Sequence, residues 1–220
     1  MSNPNGSGQN LHLRPQNSLK MKSTLKNMVL SLLGITLVAS LAVGVIYRVT
    51  AGPIADAKTA KLTKAIAQVL PPFDNTPGDS VQALSVDGGE VKVYTGTKNG
   101  QPVGYAIETF SNNGFGGEIR LIVGFNPDGT IYRTEVLSQH ETPGLGDKME
   151  RSKSDFATQF DGKNPAEFHL AVSKDGGDVD AITAATISSR AYTDAVARAY
   201  KVFCQITGQN TETGEESSYE

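Results

Sequence analysis

The chain has no tryptophan, one cysteine and three histidines among its 220 residues. A single thiol cannot close an internal disulfide, and it excludes any zinc or iron–sulfur site built on several thiolates of this chain. His12, His140 and His169 are scattered along the sequence, which argues against a histidine-only metal cage. No Ser-His-Asp or Cys-His set suited to nucleophilic catalysis is visible. Tandem repeats are absent, and the ordinary composition (38% apolar, 20% charged) excludes collagen-like, coiled-coil and wholly disordered chains. The length fits one domain with an appendage.

Acidic residues are missing from the first fifty positions. Five basic residues stand there: Arg14, Lys20, Lys22, Lys26 and Arg48. The other 170 residues hold 15 basic and 23 acidic side chains, a net of −8. That acidic balance, with no basic run interleaved with aromatics, argues against a nucleic-acid partner. The basic end points instead to a membrane. Met28 to Tyr47 is an uncharged run, and a helix of about 20 residues spans about 30 Å, a bilayer's hydrocarbon core. Basic residues cluster before it, so the N-terminus is expected inside and the rest outside. A cleaved signal peptide would have a shorter apolar region, about 7 to 15 residues, and Tyr47, Arg48 and Pro53 spoil a cleavage site. The sequence therefore predicts a retained single-pass anchor over 28–48, in contact with membrane lipid, after a basic, disordered segment over 1–27.

Residues 49–76 read as a linker with an amphipathic helix. Leu62, Ile66, Val69 and Leu70 share one of its faces, and Pro71-Pro72 ends it. Strand-like runs follow at 81–86, 91–94, 103–109, 119–125 and 131–137. Asp87-Gly88-Gly89, Asn99-Gly100 and Pro127-Asp128-Gly129 punctuate them, the last as a hairpin turn. A helical stretch is expected near 154–160 and a long helix over 187–206, with Ala191, Ala195, Ala199, Val202 and Ile206 on one side. The fold class is α+β, an antiparallel sheet with flanking helices over 77–207. Residues 208–220 form an acidic tail.

Three stretches could carry chemistry. Asn112 to Glu118 holds Gly114, Gly116 and Gly117 just before a strand, which permits a tight turn or the close approach of a backbone or ligand. His140 to Lys148 is polar and turn-rich at a strand end, where ligand sites tend to lie. Asp180 to Arg190 opens the last helix with four hydroxyls. Thr183, Thr186 or Ser188 can cap it, and capping accounts for most of them. A helix start also offers free N–H groups to a phosphate, and Arg190 stands close by in sequence.

Together these stretches resemble the FMN-binding domain family, in particular the G subunit of Rnf-type ion-translocating electron-transport complexes. A nearby relative there is the C subunit of the sodium-translocating NADH:quinone reductase. The family motif D-x-x-[ST]-G-A-T-x-[ST] is matched by Asp180, Thr183, Ala185, Thr186 and Ser188. In that family the motif's threonine carries FMN through a phosphoester bond made by a flavin transferase, so the resemblance implies covalent FMN on Thr186. Ala184 stands where the family has glycine, and if that position needs a positive φ, alanine there is strained. The family loop E-T-P-G-L-G is intact from Glu141 to Gly146, and the resemblance implies that Glu141, Thr142, Gly144, Leu145 and Gly146 line the flavin, with Ile187 beside the attachment point.

The expected function is that of an electron-transfer subunit, without independent catalysis. Its FMN relays electrons in a ferredoxin:NAD oxidoreductase that translocates ions, with multispan and iron–sulfur subunits as partners. The single span carries no intramembrane charge to mark an ion path of its own. Two alternatives stand beside this reading: a C-type subunit of the quinone reductase, and a flavin-free anchored binding module. Cys204 is expected as a small buried hydrophobe.

Overall fold

A computed structural model describes residues 24–209, so the expected disordered segment and acidic tail lie almost wholly outside the described residues. The described chain falls into two units, one ending at Pro53 and one beginning at Ile54. The apolar run lies in α1 (Leu25–Val69), a helix long and apolar enough to cross a membrane. Two expectations are corrected here. Leu25 to Asn27 are already helical, and no break separates the apolar run from the amphipathic stretch. Pro53 lacks the N–H that would bond the carbonyl of Val49, but losing one bond does not end a helix whose flanking turns are intact. The helix stops just before Pro71-Pro72, as the sequence implies.

The second unit is built on a five-stranded antiparallel meander in the order β1-β2-β3-β4-β5: β1 (Val81–Val86), β2 (Gly89–Lys98), β3 (Gln101–Gly114), β4 (Gly117–Phe125) and β5 (Ile131–Ser138). Every connection joins sequence neighbours. Asp87-Gly88 and Asn99-Gly100 make two-residue turns with positive φ, the mirror-image turns that match strand twist. The β4–β5 turn is closed by Asn126 N–H donating to the Thr130 carbonyl, 2.9 Å, and Asp128 accepts from Thr130 N–H at 2.9 Å.

Both faces of the sheet are covered, which explains why the central strands are buried in continuous runs rather than alternately. On one face lies α2 (Thr186–Thr207). Its Tyr192, Ala195, Val196, Ala199 and Phe203 are buried against Val93, Ile107, Leu121, Val123 and Phe125. Phe125 and Phe203 stack with ring centroids 5.0 Å apart. The buried Tyr192 hydroxyl donates to Thr134 Oγ1 at 2.7 Å, and burial pushes its phenol well above the usual tyrosine range. Cys204 is buried in the same core as expected, and burial raises its thiol, so a thiolate is disfavoured. On the opposite face the last turns of α1, with Leu70 just after them, place Ala65, Ile66, Val69 and Leu70 on Tyr94, Ala106 and Ile122. Leu62 is half-buried beside them. The predicted apolar face of that helix is the one in contact.

The helical stretch expected near 154–160 is a short 3-10 turn, Phe156–Phe160, which sets Phe156 and Phe160 around Tyr192. Arg151 fixes this region by donating to the Thr134 carbonyl at 2.9 Å and to the Asp161 carboxylate at 2.8 Å.

Close packing between α1 and the sheet rests on one position. A Cβ on Gly124 would lie 1.6 Å from the Val69 carbonyl oxygen, a contact that no rotamer relieves because the backbone alone fixes both positions. Gly124→Ala should therefore lower stability by about 1–3 kcal/mol, the usual cost of forcing atoms into a packed core. Gly78→Ala, whose Cβ meets nothing within 4 Å, is the matched control and should change little. Urea unfolding of both variants checks the difference.

Candidate functional site

The three stretches singled out in the sequence meet in space. Asn112 to Glu118 supplies the β3–β4 turn, with Phe115-Gly116 as its two-residue tip between the paired Gly114 and Gly117. The tip lies against the loop after β5: a Cβ on Gly116 would sit 1.9 Å from the His140 carbonyl oxygen. Turn and close approach are thus both required there, and they leave no room for a side chain.

Glu141 joins the three stretches. Its side chain is buried at 5% exposure, and among the described residues no cation pairs with it. One carboxylate oxygen accepts from Gly116 N–H at 2.8 Å, and the other accepts from the Ser188 hydroxyl. The Glu141 N–H donates to Gln139 Oε1 at 2.6 Å, and Gln139 Nε2 donates to Glu150 at 2.7 Å. A buried carboxylate needs such donors, and here they come from the β3–β4 turn and from the first turn of α2. Lys153 bridges Asp147 and Glu150, each at 3.1 Å, and closes the far end of the loop.

Around this junction opens a cavity of about 350 Å³. Glu141, Thr142, Leu145 and Gly146 form one wall, Ala184, Ala185, Thr186, Ile187 and Ser188 another, and Phe115 the third. Nine of the expected site residues are brought together there. Gly144, Asp180 and Thr183 do not line it. Asp180 serves the neighbouring loop instead: its carboxylate accepts from Ser173 Oγ at 3.0 Å, and its N–H and carbonyl bond the Gln159 amide at 2.8 and 3.1 Å. Thr183 is exposed on the turn before the helix. Phe115 was not singled out within its stretch. The available signal was a large apolar residue at a turn tip, where burial offers it nothing.

Few large apolar side chains of this unit stay in solvent after Pro71, and Phe115 (69% exposed), Ile187 (49%) and Leu145 (41%) all rim this one cavity. Apolar surface concentrated at a concave mouth marks a ligand site rather than scattered exposure. A larger groove of about 830 Å³ runs along α2 between Ile187 and Lys201, and of the expected residues only Ile187 borders it.

The start of α2 departs from the capping expectation. The residue before it, Ala185, makes no side-chain cap bond. Ser188 is committed to Glu141. Ser189, which is fully buried, donates to the Ala185 carbonyl at 3.0 Å and accepts from Ile182 N–H at 2.9 Å. Arg190 is turned to Asp175, with two bonds of 2.7 Å, so it faces a carboxylate and not the cavity. The N–H groups of Thr186, Ile187 and Ser188 precede the first helical bond, which runs from Ser189 N–H to Ala185. Those three N–H groups and the half-buried Thr186 stand where the cavity meets the positive end of the helix, a setting suited to a phosphate.

Ala184 adopts φ +62°, so the position where the family has glycine does need the left-handed region. That conformation costs alanine about 1–2 kcal/mol.

The matched family model describes an FMN-binding domain and covers residues 114–201, which include all three walls of the cavity. Curated relatives are named as the G subunit of an ion-translocating oxidoreductase complex. The protein of that name from Shewanella amazonensis is 38% identical over 188 residues, 80% of this chain and 86% of its own. Those from Escherichia coli K12 (40% over 162 residues; 70% and 79%) and Salmonella typhi (46% over 140; 60% and 68%) are similar.

Two outcomes test the site's construction. Glu141→Ala leaves Gly116 N–H and the Ser188 hydroxyl without an acceptor and should lower stability by about 2–3 kcal/mol in urea unfolding. Ala184→Gly relieves the left-handed strain but loosens the unfolded chain, which offsets about 0.4–1 kcal/mol of the gain. A net stabilisation of about 0.5–1 kcal/mol is expected, read as a higher midpoint at unchanged slope.

Proposed function

As a member of the G-subunit family of ion-translocating oxidoreductase complexes, the chain is a flavoprotein electron-transfer subunit, and we propose that its FMN is fixed by a phosphoester bond to Thr186. The observation that carries this reading is the meeting of Thr186 with the free N–H groups of α2's first turn on the wall of the cavity. The residues fit the group. The N–H groups of Thr186, Ile187 and Ser188 hold the phosphate, and Leu145, Ile187 and Phe115 give the ring an apolar surround. Glu141 keeps the walls in register. Attachment through the phosphate leaves the ring free, and when bound the flavin supplies one- and two-electron transfer. The chain's own part is to bind, orient and shield it.

The complex's donor and acceptor are proposed as ferredoxin and NAD, with iron–sulfur and multispan subunits as neighbours and a flavin transferase for maturation. In the same reading residues 28–48 of α1 form a lipid-embedded single-pass anchor with the N-terminus inside, and residues 77–207 make up the flavin domain on the outer, periplasmic side. The charge segregation about Met28 to Tyr47 supports that orientation. The positive φ of Ala184 favours attachment over a flavin-free module, because the turn keeps the shape that the motif's glycine serves.

In-gel fluorescence of the denatured full chain, co-expressed with a flavin transferase, tests the bond. Flavin fluorescence should survive denaturation in the wild type and vanish in Thr186→Val. A dark wild-type band beside a glowing control flavoprotein would refute covalent attachment.

A further inference from the structure

We infer that Ser189, which lies outside the attachment motif, is a positioning residue for Thr186: it locks the turn Ile182 to Ala185 from which Thr186 enters the helix. This rests on the reading of Thr186 as the attachment residue.

Ser189 is wholly buried, and its hydroxyl both donates and accepts. An N–H can only donate, so the Ile182 N–H at 2.9 Å occupies an oxygen lone pair, and the hydroxyl proton must go to the Ala185 carbonyl at 3.0 Å. The same carbonyl accepts Ser189 N–H at 3.0 Å, and Ala185 N–H donates to the Ile182 carbonyl at 3.0 Å. Four hydrogen bonds therefore close a ring around Thr183 and Ala184, whose own side chains are exposed and contribute none of them. Within that ring Ala184 is held at φ +62°. Glycine would take this conformation without strain, whereas alanine must be held in it. The lock falls in the segment where the chain departs from the family motif, two residues before Thr186. Losing the hydroxyl leaves the Ile182 N–H buried without an acceptor, and Ala184 becomes free to relax toward negative φ. Thr186 and the N–H groups beside it then lose their place on the cavity wall.

The test is a cycle of Ser189→Ala, Ala184→Gly and the double variant, made in the full chain in nanodiscs, with the conservative Ser189→Thr beside them. Without flavin, deuterium exchange in peptides spanning residues 181–188 should quicken at least about tenfold in Ser189→Ala, with peptides from β3 and β4 unchanged. Covalent flavin incorporation by a transferase should slow by a similar factor. The double variant should recover to within about threefold of Ala184→Gly alone, because glycine no longer needs to be held. Ser189→Thr should keep most of the wild-type rate. A merely structural serine would give a loss that glycine at 184 does not repair, and that result would overturn the proposal. So would unchanged exchange, or wild-type incorporation in Ser189→Ala. If the wild type takes up no flavin while the exchange pattern appears as described, the attachment reading fails and the role of Ser189 toward it falls too, but the turn stands.

Discussion

A buried carboxylate with no cation beside it among the described residues has to find hydrogen-bond donors within the protein, and the donors of Glu141 lie on two other segments of the chain. This constraint organises the site. The β3–β4 turn must come close enough for Gly116 N–H to reach it, which is why the turn tip presses on the His140 backbone. The first turn of α2 must present Ser188 to the same group, and that fixes the rotation of the helix about its axis. With Ser188 directed inward, Thr186 and Ile187 fall on the cavity side and Arg190 faces outward to Asp175. The packing of α2 on the sheet agrees with this rotation, since Tyr192, Ala195, Ala199 and Phe203 lie on the buried side.

Much of the fold was legible because its signals are local. Short β-branched runs between Asp-Gly and Asn-Gly turns fix a meander, and an alanine-lined period of 3.6 fixes α2. The first and last strands agree with their expected spans closely, while β2 and β3 run longer, because strand ends depend on pairing rather than on composition. The continuity of α1 was not legible. A proline inside a helical pattern is a boundary signal in most chains, and only the intact turns around Pro53 override it.

The site was legible in its parts and not in its wiring. Thr186, Ile187, Leu145 and Glu141 were marked by motif, and the cavity unites them. That the helix start carries no hydroxyl cap could not be read, because Ser188 and Ser189 are adjacent and chemically alike, and only the folded contacts send one to Glu141 and the other to Ile182 N–H. Asp180 matches the motif but makes contacts within its own loop, since a sequence pattern records which residues recur together and not what each one touches. Ala184 is the clearest conflict between local preference and global structure. The fold holds the alanine in a glycine-like conformation through bonds made by its neighbours.

The meander has a further consequence, for timing. Each strand pairs with the one before it, so the sheet can assemble from successive hairpins as the polypeptide emerges from the ribosome, with little loop closure to wait for. The pocket obeys a different schedule. Its walls come from Phe115, from the loop at Glu141 to Gly146, and from Ala184 to Ser188, so its final wall belongs to the last helix among the described residues. A product truncated before α2 therefore keeps all five strands and lacks the wall formed by Ala184 to Ser188.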